Sequence, residues 1–302
     1  MSKAYRNYRV FLNVNSVIDS KTMFSRRVFE LLACGTPIVS TISAGIEDMF
    51  GNDLVWMVKN EAEAKEAIHT LLSSPDEWRR RSLQGIRAVF DQHTFAHRFQ
   101  DVLRTTGIRD HSIAEKRVLL VAEVRSQNEL NSVVDAYTRQ RLVNTKAWLL
   151  IVARAPGLAA VAANIELVYS DEPLSKLIPK ESKRLQITHV AFIAPTALYG
   201  ANYLQDLLHA FDYSDASLVG KPCSGVDEYA YGDALIQAGS VLSAKLLELP
   251  DFTASALDAG NLTAEVSRIG EKVFMSDAAN FTNSTVILTG EQRRSALQQV
   301  EI

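Results

Sequence analysis

The regular alternation of short apolar runs and amphipathic stretches is the feature that most constrains the fold of this 302-residue chain. In the first part, β-branched and aromatic residues predict strands at Tyr8–Val14, Ile38–Ser40 and Leu54–Val58. Between and after them, spacing and end signals predict helices at Arg26–Ala33 and Glu61–Ser73. Strands that alternate with helices indicate a parallel sheet covered by helices, so the predicted class is α/β.

The second part begins with a longer apolar run. Nearly every residue of Arg117–Val124 and Ala147–Ala153 is apolar, which predicts two buried strands. Ser126 and Glu129 have the spacing of a capping box at the start of a helix. A polar stretch containing Gly107 separates the two parts. We therefore predict a first domain at 1–108, a linker at 109–116 and a second α/β domain at 117–302.

Composition excludes several classes of protein. Two cysteines cannot form a disulfide framework, and they lack the paired spacing of a zinc site. A net charge of −3, without a basic aromatic patch, argues against a nucleic-acid partner. No apolar run has the length of a transmembrane segment, and the N-terminus lacks the apolar region of a signal peptide. These observations predict a cytoplasmic protein.

The segment from Asn13 to Ser40 carries the clearest chemical signal, because a strand, a polar loop, a helix, a glycine, a proline and a strand follow one another. A helix start capped by Ser25 would offer backbone N–H groups to phosphate, and Arg26 and Arg27 would add donors. Glu30, one turn later, could accept hydrogen bonds from a ribose diol. The alternative is that both arginines are simply solvated and that the glutamate lies on the surface.

Several groups of residues between 5 and 107 resemble the nucleotide-binding half of GT-B glycosyltransferases, in particular the spore-coat-maturation type of group 1. The resemblance rests on the following residues: Arg27, Phe29-Glu30, Ala33-Cys34-Gly35-Thr36-Pro37, Ala44-Gly45-Ile46-Glu47, His93-Thr94-Phe95 and Arg98. It implies a Rossmann-like domain that binds a nucleotide-diphosphate sugar of the UDP or GDP type. Many GT-B enzymes have another glutamate eight residues before the first; Thr22 stands at that place here.

The resemblance also implies roles for individual residues. Glu30 would hold the ribose, Arg26 or Arg27 would contact the diphosphate, and Gly35, Thr36 and Pro37 would shape the turn beneath the donor. The full set of donor-binding candidates is Asn15, Ser25, Arg26, Arg27, Glu30, Gly35, Thr36, Pro37 and His93. An equally weighted reading of His93 is a histidine that packs or caps at a helix boundary.

Residues 117–282 resemble a GT-A, family 2 glycosyltransferase domain that lacks its usual metal site. In that family aspartates that hold a divalent metal follow the strand before a Tyr-Gly pair, whereas this chain has Ala194-Pro195-Thr196-Ala197-Leu198 before Tyr199-Gly200. The later acidic pair is replaced around Ala259-Gly260-Asn261. Asp171 is at a place where the family contacts the base of the nucleotide, although a turn carboxylate is the favoured reading. We expect Asp258, Glu265 and Asp277 on the surface.

Together the resemblances predict a glycosyltransferase, or part of one, that transfers a hexose to a glycan or surface-polymer acceptor without a metal. No catalytic residue can be assigned. A GT-B enzyme needs another domain, which would have to precede Met1, so a preceding domain or a partner subunit is expected. The alternative is a non-catalytic module that binds nucleotide sugars or glycans, or that serves in assembly, with degenerate glycosyltransferase folds.

Overall fold

A computed structural model describes the chain except for residues 1–4, 6, 109–112, 160–164, 285 and 289. The protein forms two compact units, Met1–Ile113 and Ala114–Ile302. Part of the segment predicted as a linker, 109–112, lies outside the described residues. No helix in the described part of the chain combines the length and the apolar character needed to cross a bilayer.

The first unit contains a parallel sheet of three strands in sequence order. The strands are β1 (Phe11–Asn13), β2 (Ile38–Thr41) and β3 (Val55–Val58). The helices are α1 (Arg27–Ala33), α2 (Ala44–Leu54), α3 (Glu61–Ser73), α4 (Pro75–Gln92) and α5 (Phe95–Thr105). Gly51 interrupts α2 with non-helical dihedral angles. The first predicted strand is thus shorter than expected, because only three residues of Tyr8–Val14 pair with β2.

Apolar faces of the helices explain the position of the first core. Val28, Leu31 and Leu32 of α1 are fully or almost fully buried and pack with Ile38 of β2. Their spacing of three and four residues places them on one face of the helix. A second cluster on the sheet joins Val39 of β2 to Ala67 and Leu71 of α3. Helices therefore cover the sheet, and the loops at the strand ends remain accessible.

The second unit is built on a mixed sheet of eight strands in the order β10-β12-β9-β11-β7-β4-β5-β6. The strands are β4 (Lys116–Val124), β5 (Thr145–Ala153), β6 (Ile165–Tyr169), β7 (His189–Phe192), β9 (Leu218–Pro222), β10 (Ala230–Tyr231), β11 (Leu235–Ser243) and β12 (Val273–Met275). β4, β5, β6 and β7 are parallel, and so are β9 and β12. β11 runs antiparallel to both of its neighbours.

Helices and a small antiparallel sheet of two strands accompany these eight strands. The helices are α6 (Gln127–Thr138), α7 (Leu174–Leu185), α8 (Tyr203–Tyr213), α9 (Ala256–Ala259), α10 (Leu262–Arg268) and α11 (Gly290–Val300). β8 (Leu198–Tyr199) pairs with β13 (Phe281–Thr282). A 3-10 helix, Ala244–Glu248, follows β11 directly. The two apolar faces of the sheet form separate buried clusters.

Three details differ from the sequence expectations. The Ser126 hydroxyl caps α6, but the Glu129 carboxylate accepts the N–H of Arg125 instead of the N–H of the cap, so the capping box is incomplete. Asp277 and Glu265 are buried, 3% and 8% exposed, and not on the surface. Both are ion-paired, Asp277 with Lys221 and Glu265 with Arg268, which is the condition under which carboxylates enter a protein interior.

The predicted α/β class is confirmed. Strands and helices alternate through both units, and most of the pairings in the central sheets are parallel. The buried strands β4 and β5 are close to their predicted bounds because an unbroken apolar run of this length suits a strand covered on both faces.

His189 makes the stability of the second unit depend on pH. Burial lowers the pKa of this histidine to about 3, with Lys116 and Lys245 adding to the effect. Because the folded pKa lies below the value of about 6.5 in an unfolded chain, stability is full above pH 6.5 and is lost as the pH falls below it. We expect the second unit to lose about 2 kcal/mol between pH 7 and pH 5.

Urea unfolding at both pH values measures this loss, and His189→Gln should remove most of it. The matched control is His69→Gln, which changes an exposed histidine of the first unit. An equal pH dependence in the His189 variant would contradict the assignment.

Candidate functional site

The carboxyl ends of β1 and β2 carry a compact polar cluster that includes Asn15. The Asn15 side-chain amide donates to Ser40 Oγ at 3.0 Å and to the Thr41 carbonyl at 2.8 Å. Asn13 Nδ2 donates to both Asn15 Oδ1 and Ser40 Oγ at 3.0 Å. Ligands of parallel α/β sheets bind outside this edge. Asn15 therefore lies where a ligand is expected, and its contacts hold the loop after β1 against β2.

Glu30 lies on α1 with both carboxylate oxygens in contact with protein groups. Arg26 Nε lies 2.8 Å from Oε1, and the Tyr5 hydroxyl donates to Oε2 at 3.3 Å. The glutamate side chain is 35% exposed and the Arg26 side chain 77% exposed. Solvent-borne ligands can thus reach the carboxylate, and the arginine can leave it at little cost because exposed ion pairs are weak. Arg27 is also exposed.

The start of α1 differs from the expectation in two respects. Its N-cap is Arg26, without a side-chain cap, and the Ser25 hydroxyl accepts from the Arg27 N–H at 3.3 Å. The N–H groups of Val28 and Phe29 donate to the carbonyls of Ser25 and Arg26. The expectation of free backbone donors is therefore wrong for these residues, since a tight turn at Ser25 satisfies them. The exposed side chains of the two arginines remain available as hydrogen-bond donors for an anion.

The Gly35-Thr36-Pro37 turn is buried beneath this region. Gly35 has φ +70°, and a Cβ there would lie 2.8 Å from Ser82 Oγ of α4. The Thr36 hydroxyl donates to the Tyr5 carbonyl at 2.5 Å, and the Pro37 carbonyl accepts from Phe11. The turn positions α1 relative to β2. Because it is covered by protein, it supports the site without being exposed to a ligand.

His93 follows α4 and packs in an aromatic cluster. Its ring lies edge-on to Phe29 and Phe50, with centroid distances of 5.8 and 5.1 Å, and Nδ1 is 3.2 Å from an Arg98 nitrogen. Burial, together with Arg98 and His97, lowers the pKa of His93. A neutral ring that packs at a helix boundary is the second of the two readings given above. The structure shows no hydrogen bond between His93 and Glu30 in the described part of the chain.

Tyr5 is a site residue that the sequence analysis missed. It is 6% exposed, and it joins two groups of candidates because its hydroxyl contacts Glu30 while its carbonyl accepts from Thr36. A lone tyrosine before the first strand has no period or motif that would single it out. Only the tertiary contact across 25 residues reveals its position beside the carboxylate.

In the second unit, the segment that would hold a metal in the GT-A family contains no carboxylate. Residues 194–200 are closed by the buried Tyr199, whose hydroxyl accepts from the Ala194 N–H and donates to the Ala238 carbonyl, both at 2.8 Å. Mg²⁺ and Mn²⁺ require oxygen ligands, chiefly carboxylates, so this segment does not fit them. Among the described residues no group of three or more His, Cys, Asp or Glu side chains could hold a metal ion.

The adjacent carboxyl ends of β4, β5 and β6 are joined by Arg154. Its guanidinium contacts the Glu123 carboxylate at 2.7 Å through Nε, and donates to the carbonyls of Ser170 and Glu172 at 2.6 and 2.9 Å. These contacts span the edge at which α/β sheets bind ligands. Asp171 is exposed on the same loop. The Arg154–Glu123 ion pair thus occupies part of the sheet edge at which a ligand would be expected in the second unit.

Comparison with known proteins supports the interpretation of the first unit. Residues 1–104 match the model of the family described as "Glycosyl transferase-like". The first unit is therefore similar, over most of its length, to glycosyltransferase-like domains. None of the curated proteins is significantly similar to the chain.

Solved structures are similar only at a low level. TarS 1-349 of S. aureus in complex with UDP-GlcNAc has 12% identity and a TM-score of 0.40, covering 61% of this chain and 64% of that one. A 4-diphosphocytidyl-2C-methyl-D-erythritol synthase from Anaerococcus prevotii has 13% identity and a TM-score of 0.36, covering 61% and 98%. The mannosyltransferase PcManGT from Pyrobaculum calidifontis, in complex with GDP-Man and Mn²⁺, has 11% identity and a TM-score of 0.41, covering 67% of each chain. Likenesses of this size do not assign an activity.

Proposed function

We propose that the first unit binds the nucleotide-diphosphate sugar of a glycosyltransferase. The observation that carries this proposal is the accessible Glu30 carboxylate with Arg26 beside it, inside the region that matches the glycosyltransferase-like family. A carboxylate can accept both hydroxyls of a ribose, and an arginine can contact phosphate oxygens through two parallel hydrogen bonds. This pairing suits a nucleoside diphosphate better than a simple phosphate or a simple sugar.

The other candidates have supporting roles in this proposal. Arg27 is a second phosphate contact, and Ser25 fixes the turn that presents both arginines. Gly35, Thr36 and Pro37 support the helix from below, while Asn15 fixes the loop at the carboxyl end of β1. His93 packs behind Phe29, which precedes Glu30 in the chain. A metal is not required, because cationic side chains can stabilise the leaving diphosphate.

The reaction class is transfer of a hexose. The bond between the anomeric carbon and the diphosphate oxygen breaks, and a bond forms from that carbon to a hydroxyl oxygen of the acceptor, which loses its proton to a base. That base and the acceptor site are left to a further domain or partner subunit, since donor and acceptor must be held together for the reaction. The family resemblance favours a glycan or surface-polymer acceptor, and the composition of the sequence favours a cytoplasmic location.

Glu30→Gln is expected to weaken nucleotide binding by about 10- to 100-fold, because hydrogen bonds to a charged group are worth about 1.5–3 kcal/mol. Calorimetric titration with UDP, GDP, a UDP-hexose and a GDP-hexose, with and without Mn²⁺, measures this effect. The control is Glu66→Gln, which changes an exposed glutamate on α3. Failure of the unaltered protein to bind any of these nucleotides would overturn the proposed function.

A non-catalytic binding or assembly module is the second candidate, and one observation favours it for the second unit. There Arg154 spans the carboxyl ends of the strands, and residues 194–200 supply no carboxylate. A protein of this kind would bind the nucleotide sugar through Glu30 without transferring it. Release of UDP or GDP from the nucleotide sugar in the presence of acceptor distinguishes an enzyme from such a module.

A further inference from the structure

Glu30 is held between two groups of different character. The Tyr5 hydroxyl approaches Oε2 from a buried side, whereas Arg26 approaches Oε1 from an exposed side. Tyr5 is fixed by edge-on packing on Phe11 at 5.4 Å and by the bond from Thr36 to its carbonyl. A buried neutral donor therefore contacts one oxygen, and an exposed cation contacts the other.

These two contacts have different consequences for a ligand. The Tyr5 hydroxyl leaves the exposed lone pairs of the carboxylate available and fixes their direction. Arg26 competes with a ribose diol for the carboxylate, because its Nε lies within hydrogen-bond distance of Oε1. The same guanidinium can also donate to phosphate oxygens.

We propose that Tyr5 is a positioning residue for Glu30, and that nucleotide binding exchanges the Arg26–Glu30 ion pair for two new contacts. The ribose hydroxyls donate to Glu30, and the released Arg26 contacts the diphosphate. This inference rests on the proposed function of the first unit. In the exchange Arg26 competes with a nucleoside that carries no phosphate for the Glu30 carboxylate. It stabilises the bound nucleoside diphosphate, because the released guanidinium contacts the phosphates. The pair thereby selects for the diphosphate.

Tyr5→Phe tests the positioning role because it removes the hydroxyl and keeps the ring and the backbone carbonyl. We expect binding of UDP or GDP, whichever the unaltered protein prefers, to weaken about 3- to 10-fold. Binding of the corresponding 2′,3′-dideoxy diphosphate should not change, since it lacks the hydroxyls that Glu30 accepts. Tyr8→Phe is the control, because Tyr8 is an exposed tyrosine that also packs on Phe11.

Arg26→Gln tests the exchange. Binding of UDP or GDP should weaken about tenfold, while binding of uridine or guanosine should stay the same or strengthen. A residue with a merely structural role would weaken both by the same factor. The ratio of the two dissociation constants is therefore the decisive quantity, and Arg104→Gln, on the exposed face of α5, is the control variant.

The outcomes separate this inference from the proposed function. If the unaltered protein binds nucleotides and Glu30→Gln weakens that binding, the proposed function stands. In that case, equal effects of Tyr5→Phe and Tyr8→Phe, or a parallel loss of nucleoside and diphosphate binding in Arg26→Gln, would overturn the positioning and the exchange. If no nucleotide binds, both are overturned.

Discussion

Replacing Asp277 by alanine is expected to lower the free energy of unfolding of the second unit by about 3–5 kcal/mol. The Asp277 carboxylate accepts from Lys221 Nζ at 2.9 Å, and the Lys221 side chain is fully buried. It also accepts from the Ser276 hydroxyl at 3.1 Å and from the Ala279 N–H at 2.9 Å. The variant leaves an ammonium group in the interior without its counter-charge, and desolvation of that charge accounts for the loss.

Two comparisons make the result specific. Asp215→Ala, which breaks an exposed ion pair with Lys272 in the same unit, should change stability far less. The double variant Lys221→Met with Asp277→Leu should recover most of the loss, because it removes both buried charges. Urea unfolding followed by hydrogen exchange in peptides of the second unit measures all three. A single Asp277 variant as stable as the Asp215 variant would show that the pair contributes little.

Gly35→Ala is expected to destabilise the first unit by about 2–4 kcal/mol. The left-handed conformation at φ +70° costs a residue with a Cβ about 1–2 kcal/mol. The added methyl group would also lie 2.8 Å from Ser82 Oγ and 3.0 Å from Ile86 Cδ1, and overpacking of this kind costs about 1–3 kcal/mol. Because the turn supports α1, nucleotide binding should weaken in the same variant.

Gly107→Ala separates the two contributions. Gly107 ends α5 with φ +72° and the same hydrogen-bond pattern that Gly35 uses to end α1, but a Cβ at Gly107 would meet no atom within 4 Å. The Gly107→Ala variant should therefore lose only the stability that corresponds to the cost of the left-handed conformation. Chemical unfolding of both variants gives the comparison, and equal losses would mean that packing of Gly35 on α4 contributes nothing.

Much of the fold could be predicted from the sequence because the strongest local signals agree with the tertiary structure. Glu61–Ser73 is a helix with the predicted bounds. The apolar run at Lys116–Val124 forms a buried strand, as its predominantly apolar character predicts. The two-residue strands β8, β10 and β13 were missed, because pairing with a distant strand and not local propensity creates them.

The candidate site was predictable only in part. Family resemblance and charge pointed to Glu30 and the two arginines, and in the structure Arg26 and Glu30 form an ion pair. The hydrogen bonds that occupy the first N–H groups of α1 could not be read from residue types, because they depend on the turn at Ser25. Burial of Asp277 was likewise hidden, since its partner Lys221 lies 56 residues away in the chain.

The place of β12 in the large sheet has a consequence for biosynthesis. Its three residues lie between β9 and β10, although β9 is complete 51 residues before β12 begins, from Pro222 to Val273. While the chain emerges, β9 can pair with β11 on one side, but its other edge stays open until Met275 has been made. An open strand edge is a template for pairing with other chains. The interval between the synthesis of Pro222 and that of Met275 is therefore one in which binding of a chaperone to the open edge would protect the chain.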